Sequence, residues 1–191
     1  MSTSIATSSI SDKILTILPS RVNPERLNHI EGVIHTAVVL AHRFGIESER
    51  ARLAAAAHDL DRDLTAGQGL ALAADWHIPL TTEERLHPTL LHGALSAERI
   101  RRWYAVEDKE LLHAVRHHTL GAADFGPLGM ILYVADFCEP GRPYLTDGER
   151  SKILRLRSLP EMVRAVIELG HARFGRLAPA TAALLERVSK E

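Results

Sequence analysis

The dipeptide His58-Asp59 closes an alanine-rich run, RLAAAAHD, and sets an imidazole nitrogen beside a carboxylate oxygen. A transition-metal ion takes donors of both kinds from a protein. His29, His92, His118 and Asp136 stand elsewhere in the chain and would complete a mixed nitrogen and oxygen set if folding gathered them. The single cysteine, Cys138, leaves no thiolate set for a structural zinc site. Magnesium favours oxygen ligands and retained water, so four imidazoles argue against it. Iron and manganese suit the set, with zinc as a competitor, as one ion or two.

Helices must position these donors, because the periodicity is helical almost throughout. Asn23-Pro24 supplies an N-cap and a proline at the first helical position, and Gly45 follows the run. Between them Ile30, Val33, Ala37, Leu40, Ala41 and Phe44 form one apolar stripe with His29 on its edge. His35 and His42 project from the opposite side and are expected to be solvated. A second helix is expected over about 47–59, irregular short pieces over 65–86, and a long helix from near Pro88 to Tyr104. The next, about 108–118, aligns His118 with Leu111, Ala114 and Val115, while His113 and His117 share its polar face. Pro127 opens an apolar helix, PLGMILYVADF, that ends before Pro140-Gly141, and two more are expected over about 160–174 and 178–189. No strand alternation, repeat or linker interrupts this pattern. The expectation is an all-α fold, a single helical bundle over residues 12–191 with a metal site in its core. The polar Ser/Thr-rich start, residues 1–11, reads as a flexible tail.

A lone histidine on an apolar face is ordinarily a hydrogen-bonded core residue. Asp136 changes that balance. It interrupts an apolar helix, where an ionised carboxylate is costly unless paired or metal-bound. Arg116 or Arg142 could pair with it, but inward histidines on at least three helices beside His58-Asp59 make a shared metal the more economical account.

At 191 residues, 46% hydrophobic and 25% charged, the chain fits one domain with one core. A net charge of −1 provides no field for nucleic acid, and no apolar run approaches the roughly 18 residues that span a bilayer. Neither nucleic acid nor membrane is expected as a partner; one cysteine fits a reducing, cytoplasmic setting. Arg99, Arg101 and Arg102 read as a solvated helix face, and Trp76 and Trp103 as core aromatics rather than bases' stacking partners.

The segments RLNHIEGV, AAAAHDLDRD, LLHGALSA, HAVRHHTLG and ILYVADFCEPGR, in that order, resemble the HD superfamily of metal-dependent phosphohydrolases. Within it they are similar to the YqeK family of bacterial symmetrical bis(5'-nucleosyl)-tetraphosphatases, from about Arg26 to Leu185. The resemblance implies an HD-type helical fold, an iron-containing site, and cleavage of diadenosine tetraphosphate into two ADP. It implies that His29, His58, Asp59 and Asp136 hold the principal metal, and that His92 and His118 hold a second ion or contact phosphate. By the same likeness Thr119 and Arg142 bind phosphate or sugar, and Gly175, Arg176, Leu177, Ala178, Pro179 and Ala180 help to enclose the nucleoside. The chain departs from the family at Arg62, usually lysine, at Gly141, often asparagine, and at Ala178, often histidine. A guanidinium at 62 still clamps phosphate oxygens as a fork. The other two departures bear on base and ribose contacts.

The chemistry expected is attack of a metal-bound hydroxide on phosphorus, with Asp59 orienting it and Arg62, His118 and Arg142 stabilising phosphate charge. A phosphohydrolase acting on another nucleotide, or a non-catalytic nucleotide sensor, remains as an alternative, and a homodimer is left open.

Overall fold

The computed structural model describes residues 3–175 and 177–190, with side chains from residue 10 onward except at Arg176. Eleven α-helices and no strand appear among the described residues. They are α1 (Thr3–Ile17), α2 (Pro24–Arg43), α3 (Ser48–Ala57), α4 (Ala66–Asp75), α5 (Thr82–Leu86), α6 (Leu91–Tyr104), α7 (Lys109–His117), α8 (Pro127–Cys138), α9 (Asp147–Leu154), α10 (Leu159–Phe174) and α11 (Pro179–Val188).

The bundle is organised around α3. Ala51, Leu53 and Ala54 through Ala57 are all buried, and α3 is packed by α1, α2, α6, α7 and α8. Its second half, residues 53–57, is apolar on every side and belongs inside, and alanine lets its neighbours approach closely. The chain leaves α3 at His58 and turns over residues 58–63, so the His-Asp dipeptide is delivered to the middle of the molecule.

α2 starts as its sequence predicts: the Asn23 side chain accepts from the Arg26 N–H, and Pro24 opens the first turn. Ile30, Val33, Ala37, Leu40 and Ala41 are buried, whereas His35 and His42 are exposed. Residues 65–86 are more ordered than expected, because Thr65 with Gln68 and Thr81 with Glu84 form two capping boxes that start α4 and α5.

Two further helices go beyond the sequence reading. α1 crosses position 11, where a tail was expected to end, and seats Ser11 and Ile14 in the core, with Leu18 following just past its end. α9 begins at another capping box, Thr146 with Glu149.

Arg99 corrects the expectation of a solvated basic face. It is 4% exposed, with its guanidinium between Trp76 at 4.9 Å and Trp103 at 4.3 Å. The two tryptophans thus flank a cation of the protein's own. Arg101 and Arg102 are exposed and paired with Glu98, as a surface face should be.

Candidate metal centre

His29 from α2, His58 and Asp59 from the turn after α3, His92 from the first turn of α6, His118 just past α7, and Asp136 from α8 converge. All are buried except Asp136, whose side chain is 19% exposed.

Local hydrogen bonds aim every imidazole. Nδ1 of His58 lies 2.7 Å from the Ala55 carbonyl, Nδ1 of His92 lies 2.6 Å from Thr89 O, and Nδ1 of His118 lies 2.8 Å from Val115 O. A carbonyl only accepts, so each Nδ1 carries the proton and each Nε2 is left for the centre. His29 Nδ1 lies 3.1 Å from Glu139 Oε1, which imposes the same orientation through a carboxylate. Glu139 approaches because residue 32 on α2 is glycine: a Cβ there would meet Glu139 Oε2 at 2.5 Å.

The four Nε2 atoms form two pairs, His29 with His58 at 3.3 Å and His92 with His118 at 3.1 Å. Two imidazole lone pairs facing each other repel unless a proton or a cation lies between them. Two ligands 2.0–2.1 Å from one ion stand about 2.8–3.4 Å apart at right-angle to tetrahedral geometry, so both pairs have the separation of co-ligands. Asp59 joins the pairs. Its Oδ2 is 3.7 Å from His29 Nε2 and 3.6 Å from His58 Nε2; its Oδ1 is 3.2 Å from His92 Nε2 and 3.5 Å from His118 Nε2. Asp136 Oδ1 completes the first half, 3.1 Å from His29 and 3.9 Å from His58. The donors present fit a divalent transition metal.

Electrostatics agree. Burial holds the His58 imidazole down at about 4, so it is a neutral donor at any working pH. Burial alone would raise Asp59, but the polar surroundings made by the imidazoles of His58, His118 and His92 outweigh it and hold the carboxylate well below its usual range. Burial would likewise raise Asp136, and the His29 hydrogen bond with the Arg142 charge overcome it. His29 and His118 go the other way. Burial lowers both, yet Asp136 and Glu139 for His29, and Asp59 for His118, raise them above 6.5. Both therefore hold a proton more tightly than free histidine does, and a metal must displace it. Manganese affinity is expected to rise with pH until these two groups have lost their protons, by up to about tenfold per unit for each proton released. Calorimetric titrations at pH 6 and pH 8 check the sign; equal affinities would contradict it.

The centre also needs α6 close to α7. A Cβ on Gly93 would meet the Arg116 carbonyl at 2.6 Å, and backbone cannot yield as a side-chain tip can. Gly93→Ala is expected to cost about 1–3 kcal/mol in denaturant unfolding and to spread the adjacent His92–His118 pair.

Two guanidinium groups border the carboxylates. Arg26 Nη1 donates to Asp59 Oδ2 at 2.7 Å. Arg142 donates through Nη2 to Asp136 Oδ1, through Nε to the Asp136 carbonyl at 2.9 Å, and stands 3.3 Å from His29 Nε2. Arg142 thus reaches the centre by way of Asp136. Arg62 has no hydrogen-bond or ion-pair partner for its guanidinium among the described residues, and the structure does not join it to the cluster. Arg26 and Glu139 escaped the sequence reading as site residues. Both lie within the motif segments, three residues before His29 and three after Asp136.

Thr119 is where the centre opens outward. Its hydroxyl is 3.2 Å from His92 Nε2 and 3.1 Å from His118 Nε2, and the residue is exposed to an adjoining pocket of about 630 Å³. Leu177, Ala178 and Pro179 line that pocket, together with Thr181, Phe137, Tyr144 and Phe174. Gly175 is the left-handed residue that ends α10; it and Ala180 flank the wall in sequence, and Arg176 lies outside the described residues.

Comparison with known proteins agrees with this geometry. Residues 26–141 match the HD domain family. A symmetrical bis(5'-nucleosyl)-tetraphosphatase of Bacillus subtilis is 31% identical over 133 residues, covering 70% of this chain and 71% of that protein. One of the same name from Halalkalibacterium halodurans is 30% identical over 134 residues, 69% of this chain and 70% of that one. A crystal structure of a predicted HD superfamily hydrolase involved in NAD metabolism, from Clostridium acetobutylicum, superposes with a TM-score of 0.82 at 25% identity, covering 94% of this chain and 97% of that one. The order of the helices that bring the candidate donors together, the paired histidines around Asp59 and these likenesses agree that the chain belongs to the HD-domain hydrolases, in the family of the symmetrical bis(5'-nucleosyl)-tetraphosphatases.

Proposed function

We propose that this protein hydrolyses diadenosine tetraphosphate symmetrically to two ADP, using two divalent transition-metal ions, with iron or manganese the best match to the donors. The observation that carries the reading is Asp59, which turns one oxygen to each imidazole pair beside a pocket of nucleotide size. The names of the relatives supply the substrate.

His29, His58, Asp59 and Asp136 would hold one ion, and Asp59, His92 and His118 the other. Bound there, the ions supply Lewis acidity and a nucleophile from water at neutral pH. The chain's own residues do the rest. The Nδ1–H bonds and Glu139 keep the imidazoles in the donor tautomer. Arg26 and Arg142 offer guanidinium charge where the substrate's phosphates must lie, and Arg62 has an uncommitted guanidinium close by in sequence. The Thr119 hydroxyl stands at the rim between pocket and centre, in reach of a phosphate oxygen.

A pocket of about 630 Å³ suits one nucleoside with its phosphates and not two. One ADP half seated in it would bring the central anhydride to the centre, which is the register symmetrical cleavage requires. Phe174 is 57% exposed at the pocket, and its ring is apolar surface that a base would cover.

Product analysis after incubation with diadenosine tetraphosphate and manganese or iron is the test. ADP as sole product supports the reading. ATP with AMP would place the cleavage at another anhydride, and absence of turnover in metal-loaded protein would exclude this substrate.

A further inference from the structure

The turn that carries Asp59 is gripped from outside the centre. Asp61, two residues on, has a wholly buried carboxylate. Arg99 Nε donates to both its oxygens at 3.0 and 2.8 Å, and Nη2 donates to Oδ1 at 2.7 Å. Arg21 adds a fourth bond at 2.9 Å, and the Asp61 N–H donates to Ser96 Oγ at 3.2 Å. The planar guanidinium of Arg99 is in turn fixed between Trp76 and Trp103.

Ser96 and Arg99 share α6 with His92, at i+4 and i+7, and therefore share its face. One helix face thus meets one turn at three points: His92 at Asp59, and Ser96 and Arg99 at Asp61. The first is a contact between two metal-donor groups, 3.2 Å apart, and the others set its length. A slip of half an ångström along this face would be taken up wholly by the second half of the centre. The first half draws His29, His58 and Asp136 from α2, the end of α3 and α8, and shares only Asp59 with the half that includes His92 of α6.

We propose that Asp61 and Arg99 form a positioning pair that sets the separation of Asp59 from His92, and so specifically tunes affinity for the ion held by Asp59, His92 and His118. The inference rests on the two-ion reading above. Neither residue touches the reacting atoms.

The test is a manganese titration of the full chain, followed by calorimetry and by the spin signal of the bound ion, without substrate. Removing one partner would strand a buried charge. The diagnostic variant is therefore the double Asp61→Leu, Arg99→Met, since apolar replacement of both members of a buried pair generally preserves folding. Wild type should bind two ions. The double variant should melt cooperatively, keep the first affinity, and bind the second ion about 10–100-fold more weakly. Arg99→Lys, which keeps the charge but loses the fork, should weaken the second site about tenfold and lower kcat more than it raises KM. If the double variant does not fold, the lysine variant decides. A folded variant that binds both ions as wild type does overturns the proposal. Wild type that binds one ion or none overturns the two-ion reading itself, a failure visible before any variant is made.

Discussion

Asp59→Ala is expected to lower kcat for diadenosine tetraphosphate hydrolysis by about a thousandfold or more while the helical circular dichroism is retained. A single electrostatic group at a reacting centre is commonly worth about 10²–10³ in rate, and Asp59 serves two groups of donors at once. The alanine variant strips a carboxylate from both halves and leaves Arg26 without its acceptor at 2.7 Å. Asp59→Asn separates the two roles. An amide has one acceptor oxygen and one donor nitrogen. Its oxygen can satisfy Arg26 and the His29–His58 half, and its NH₂ then faces His92 and His118, where a lone pair is needed. The asparagine variant should therefore hold one manganese ion per chain and the alanine variant should hold neither firmly, by direct metal analysis of gel-filtered protein. Near-wild-type turnover by the alanine variant, with metal present, would refute the assigned chemistry.

The convergence of the candidate donors was legible in the sequence for a reason that the structure makes plain. His29 lies on the edge of an apolar stripe, His58 and His118 follow the buried faces of α3 and α7, and Asp136 interrupts a buried helix, so periodicity turns each inward. The groups that act on those donors were harder to see. Arg99 sits in the string ERIRRW, whose charges have the spacing of a solvated helix face; only the arrival of Asp61 and two tryptophans from other segments makes its burial affordable. Glu139 follows α8 in a proline- and glycine-containing segment, where no period says which way a side chain points, whereas Arg142 in the same segment was already read as one of two partners open to Asp136. Two helices had local signals that went unread. Ser11, Ile14 and Leu18 recur at three and four residues from the end of the expected tail onward, and Thr146 with Glu149 has capping-box spacing before α9. The pocket beside the centre was legible only in part. Its wall combines α8, α10 and the segment after Gly175, and Phe174 and Thr181 join it by tertiary packing rather than by any pattern along the chain.

Asp136→Asn is the second substitution expected to cut deeply, by about 10²–10³ in kcat, and the reason involves Arg142 as much as the metal. In the folded chain Asp136 answers two cations: the Arg142 guanidinium, and whatever charge lies between His29 and His58. The amide withdraws a negative charge from a centre that keeps Arg26 and Arg142. The first ion must then enter beside an uncompensated guanidinium standing 3.3 Å from His29 Nε2. That repulsion is separable from loss of the ligand oxygen, because the asparagine still offers one. Removing the guanidinium as well, in Asp136→Asn, Arg142→Met, should restore part of the manganese affinity lost in the single variant. Turnover should stay low, since the double variant also lacks a phosphate-facing cation. The four proteins form a double-mutant cycle, and a coupling near zero in metal affinity would mean that Arg142 and the first ion do not sense each other. A large coupling in affinity, with none of the lost rate recovered, would place Arg142 in both ground-state balance at the centre and charge stabilisation on the phosphates.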